Sequence, residues 1–129
     1  PLTGEASPMI DPSATTIRIE PTDDVVLVLT TCPDEMVAER IARLLVEEHL
    51  AACVNEFAIT ASTYHWQGEV ARAAEVQLVI KTARGRLPAL AARIGALHPY
   101  ELPELIVVNA AAGSAGYLAW VRASTGPRS

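Results

Sequence analysis

The chain has 129 residues, half of them hydrophobic, and its acidic side chains outnumber the basic ones 15 to 10, for a formal net charge of -5 at pH 7. That length fits one domain able to bury roughly two-thirds of its unfolded surface. One lysine, Lys81, and scattered arginines make no basic stripe to neutralise phosphates, which argues against nucleic acid as a partner.

The apolar runs "VVLVL" and "LIVV" fall far short of the ~20 residues that span a bilayer, and no charged-then-apolar leader opens the chain. These features predict no membrane partner and a cytoplasmic protein. Two cysteines, Cys32 and Cys53, lack CxxC spacing and are too few for a disulfide framework, in keeping with a reducing compartment.

Residues 1–22 carry four prolines and many small polar side chains with no period of 2 or 3.6, and read as a flexible tail ahead of a domain over 23–125. Asp24 to Thr31 is a valine-rich apolar run of the kind found in a strand covered on both faces. Pro33, Asp34 and Glu35 then start a helix, and Val37, Ile41, Leu44 and Leu45 recur at helical spacing to about Leu50. Two long strands, Cys53–Trp66 and Glu69–Thr82, flank "QG", where Gly68 supplies a tight hairpin turn. Both exceed the usual five or six residues, so the hairpin is predicted to overhang its sheet.

A second amphipathic helix places Leu87, Leu90, Ile94 and Leu97 on one stripe and stops at His98, because Pro99 turns its predecessor away from helical geometry. Leu105 to Ala111 is the last predicted strand, and Gly113 and Ser114 open a short helix over 115–123. The order is the α+β, ferredoxin-like β-α-β-β-α-β sandwich with an extra C-terminal helix. In that topology Cys32 ends one strand and Cys53 starts a parallel one, too far apart for a disulfide.

Phosphate loops, nucleophile elbows and HExxH pairs are absent from the sequence, which gives no support to an enzyme. In "HPYELPE" (98–104), His98, Glu101 and Glu104 could coordinate a divalent ion, since imidazole and carboxylate suit copper or zinc. The same residues also serve as a helix cap and a proline-set turn with solvated glutamates. Cys32, between a strand and a helix N-terminus, is a candidate thiolate or a small core residue. Tyr64 and Trp66 on one face of the hairpin, with Tyr117 and Trp120 in the last helix, are candidate subunit-contact residues or ordinary core. Lys81 fits a snorkelling side chain better than a ligand-reading one.

Four stretches in this order, "LAACVN" (50–55), "STYHWQGEV" (62–70) with Glu75 and "IKT" (80–82), "HPYELPE" and "GYLAWV" (116–121), resemble the CutA proteins, known as divalent cation tolerance proteins. The resemblance covers about residues 24–124. It implies a ferredoxin-like subunit in a tight homotrimer whose long hairpins pair with neighbouring subunits, a tie to copper and other divalent metals, and no established reaction. Carried over, it implies His98 and Glu104 as metal-contacting positions, with Cys32 as a third contributor. Ala58 and Ile59 stand where many such proteins have Pro-Gly before the hairpin. A PII-like trimeric signalling module that binds a small ligand or nucleotide, and a trimer that scaffolds another protein, are the competing readings. The short "QG" connection, in place of a long regulatory loop, counts against the first.

Overall fold

The computed structural model describes residues 16–126. In chain order its elements are β1 (Ile19–Pro21), β2 (Val25–Cys32), α1 (Glu35–Glu47), β3 (Cys53–Trp66), β4 (Glu69–Ala83), a 3-10 turn (Arg84–Arg86), α2 (Leu87–Leu97), β5 (Ile106–Asn109), β6 (Ala112–Ser114) and α3 (Ala115–Ser124). The main sheet has the order β3-β4-β2-β5 with every neighbouring pair antiparallel. This is the expected ferredoxin-like arrangement with its added C-terminal helix.

Alternation along β2 and β4 divides the sheet into two faces. Val26, Val28, Thr30 and Cys32, with Val76, Leu78, Ile80 and Thr82, are buried under α1 and α2, where Ile41, Leu45, Leu90 and Ile94 close the core. On the other face α3 covers one end only. Its Leu118 and Val121 pack on Val25 and Ala52, with Tyr117 and Trp120 alongside, and the Lys81 ammonium lies 5.8 Å from the Tyr117 ring centre.

Local chemistry sets the element ends. Asp34 is the N-cap of α1, its carboxylate accepting the Val37 N–H at 2.9 Å. The helix ends at Glu47, short of the expected Leu50, because His49 takes φ 59°. The His49 N–H then donates to Val46 O and the Leu50 N–H to Leu45 O, which is the Schellman arrangement with histidine where glycine is usual. Gln67 and Gly68, at φ 52° and 81°, make the two-residue turn with Trp66 opposite Glu69.

Two departures concern the chain ends of the domain. Residues 1–15 of the expected tail lie outside the described residues, but Ile19–Pro21, assigned to that tail, form β1 and pair with β6. Backbone pairing and not an apolar pattern creates this strand, and Pro21 sits at its end, where a missing N–H costs least. The last strand of the main sheet is Ile106–Asn109, shorter than the expected 105–111, because Ala112–Ser114 leave β2 to meet β1.

Arg122 of α3 fastens this second, two-stranded sheet to the body. It donates from Nε at 2.9 Å and Nη2 at 3.0 Å to the two oxygens of Asp24, and this hydrogen bonding, with a further bond from Thr22, holds the Asp24 carboxyl down at about 2. A depressed carboxyl stabilises the fold fully above its ordinary range, and the contribution disappears as pH falls through it toward 2. Asp24 is 46% exposed, so solvent screening keeps the contribution of the pair small. Arg122→Ala should therefore flatten the loss of stability between pH 4 and pH 2 in urea titrations; identical slopes in the two proteins would refute the assignment.

Candidate functional site

β4 outruns β2. Residues 76–83 of β4 pair with β2, whereas among the described residues 69–75 have only β3 beside them, an overhang of about 24 Å at strand spacing. Where the hairpin leaves the body, β3 carries one extra residue between Ile59, opposite Glu75, and Ser62, opposite Ala73. Such a bulge bends and twists a ribbon, and this one lies next to the Ala58–Ile59 step.

Between the overhang and the 98–104 loop lies a cleft of about 740 Å³. Ser62, Tyr64, Trp66 and Glu75 form its hairpin wall, and Tyr100, Glu101 and Glu104 stand on the loop side. The Tyr100 hydroxyl donates to Glu75 at 2.7 Å across the cleft. Burial first, and then this bond to a carboxylate, push the Tyr100 phenol above its ordinary range, so it stays a donor at neutral pH. Gln77 approaches Glu104 at 3.4 Å. Every charged residue on the cleft wall is a carboxylate, so the cleft favours cations over anions.

The three residues expected to hold a metal do not assemble into a ligand set. His98 is buried, with Nε2 2.7 Å from Thr31 O and Nδ1 accepting the Tyr100 N–H at 3.1 Å. Cys32 is fully buried on the helix-covered face, and burial, reinforced by the charges of Asp34, Glu56 and Glu75, pushes its thiol up to about 11; it is therefore a thiol filling the core. Glu104 reaches Gln77, which pairs with Thr31, whereas Cys32 pairs with Val76. Successive strand residues point to opposite faces, so Cys32 and Glu104 are on opposite sides of the sheet. Among the described residues no three His, Cys, Asp or Glu side chains are placed to hold a metal ion. The described residues of one chain do not by themselves make a ligand set for an ion.

The aromatic residues divide in the same way. Tyr64 and Trp66 are half-exposed near the hairpin tip, while Tyr117 and Trp120 pack together, ring centres 5.4 Å apart, at the opposite end of the sheet. Both cysteines are free, and Cys53 aligns through Lys81 with Leu27, five residues along β2 from Cys32. Glu75 and Tyr100 are the site residues that sequence patterning did not single out as a pair; their separation of 25 positions leaves no local signal.

Residues 26–124 match the family model of the CutA1 divalent ion tolerance protein. The chain belongs to the CutA1 family. A relative from Thermus thermophilus, a divalent-cation tolerance protein CutA, is 48% identical over 100 residues, covering 78% of this chain and 97% of its own. CutA from Synechococcus elongatus superposes with a TM-score of 0.81 at 40% identity, over 84% of this chain and 96% of that one. A CutA from Archaeoglobus fulgidus, described as a periplasmic divalent cation tolerance protein, gives a TM-score of 0.77 at 30% identity, over 79% and 99%. The CutA1 family thus accounts for the fold and for a role in divalent cation tolerance. No helix among the described residues is long and apolar enough to cross a membrane.

Proposed function

We propose that this protein serves divalent cation tolerance as a non-enzymatic cytoplasmic homotrimer, taking copper or a similar cation as cargo. The observation that carries this reading is the overhanging hairpin together with the uncovered sheet face. Phe57, Ile106 and Val108 on that face are 53%, 52% and 41% exposed, and β5 offers a free strand edge. Exposed apolar edges of this kind invite pairing with another chain. Tyr64 and Trp66 at one end and Trp120 at the other suit a head-to-tail contact, the kind that makes a ring when its rotation closes, and not a two-fold dimer.

Since the described residues of one chain hold no complete ligand set, a cation is met at the carboxylate wall, Glu104 included, with further donors from a neighbouring subunit. The same carboxylates repel a phosphate chain, so the nucleotide-binding alternative draws no support from the cleft. The free thiols of Cys32 and Cys53 suit the proposed cytoplasmic setting.

Sedimentation at micromolar concentration should give a trimer, and calorimetry with copper(II) should show binding that Glu104→Gln weakens. A monomer would sink the assembly. A trimer without copper or zinc binding would sink the cation cargo alone.

A further inference from the structure

We propose that His98 is a positioning residue that latches the hairpin to the body of the subunit through Tyr100 and Glu75, and that its imidazole is not a metal ligand. The protonation of the ring follows from its partners. Thr31 O can only accept, so Nε2, 2.7 Å away, carries the proton; Nδ1 then holds the lone pair and accepts the Tyr100 N–H at 3.1 Å. Each nitrogen is thus occupied, and the lone pair that a cation would need is already in use.

The ring also supports Tyr100 directly, with centres 4.7 Å apart at an angle of 52°. From there the Tyr100 hydroxyl reaches Glu75, one residue beyond Val76, the last position of β4 that pairs with β2. The connected path is Thr31 of β2, His98 at the end of α2, Tyr100, and Glu75 at the root of the overhang. Past Val76 the hairpin loses its β2 partner and bends at a bulge, so this path is what fixes its direction against the body.

The latch rests on the contacts within one subunit and is independent of the cation reading. Asparagine separates its parts, because Oδ1 can accept the Tyr100 N–H in place of Nδ1 and no amide replaces imidazole as a copper ligand. Amide exchange over 69–75 and 98–104, measured on the assembled protein, should rise about tenfold or more in Tyr100→Phe and in His98→Ala, the loss expected for a hydrogen bond to a charged acceptor. The double variant should show little further increase, since both act on one path. His98→Asn should lie between the wild type and His98→Ala, and copper binding should be the same in all of them. Unchanged exchange in Tyr100→Phe, which removes one hydroxyl and leaves the core intact, would overturn the latch. So would loss of copper binding in His98→Ala alongside full binding in Tyr100→Phe. A wild type that binds no copper would refute the cargo and leave the exchange result to decide the latch.

Discussion

Ile106→Lys is expected to convert the proposed trimer to monomers at micromolar concentration while the subunit stays folded. Ile106 pairs with Leu29 and points to the face that α3 leaves open, where its own chain does little to cover it. Burying such a side chain is worth about 1.5–3 kcal/mol, and a ring repeats the contact in each subunit. Lysine there removes that gain and adds an ammonium group that is costly to desolvate. Sedimentation velocity and far-UV circular dichroism together check the outcome. A persisting trimer would show that this face is not the interface, and because association is linked to stability, the monomer should also melt at lower temperature.

The second large effect lies in the core. Ile41 of α1 is fully buried among β2, β4 and α2 residues, so Ile41→Ala removes three carbons from a place where neighbours are fixed by the sheet. Such truncations cost about 2–5 kcal/mol, the upper part of the range arising where the cavity fails to collapse. Chemical denaturation at one fixed protein concentration measures it, since dilution alone would shift the midpoint of an assembling protein. A change below about 1 kcal/mol would mean that α1 can settle onto the sheet and fill the gap.

The sequence was most legible where two signals coincided. Cys53–Trp66 begins and ends where patterning placed it, because β-branched and aromatic residues run up to the "QG" turn that closes the hairpin. The end of α2 at His98 was fixed by Pro99 alone. β1 was missed since three residues with a proline carry no period, and its partner Ala112–Ser114 has no strand-like side chain; both exist because distant backbone groups meet. His98 shows the limit for function. Its place in "HPYELPE" suits a ligand and a cap equally, and only the positions of Thr31 O and the Tyr100 N–H reveal where its nitrogens are committed.

The central place of β2 has a consequence for synthesis. β2 leaves the ribosome before either strand that it pairs with, since Val28 meets Ile80 on one side and Val107 on the other. At about 5–20 residues per second, the first of those partners arrives seconds after β2 emerges, and the second later still. Through that interval a valine-rich segment has both edges bare. A bare strand of this kind is open to pairing with other chains until its own partners arrive, a hazard that the finished fold, with β2 at the centre of its sheet, no longer carries.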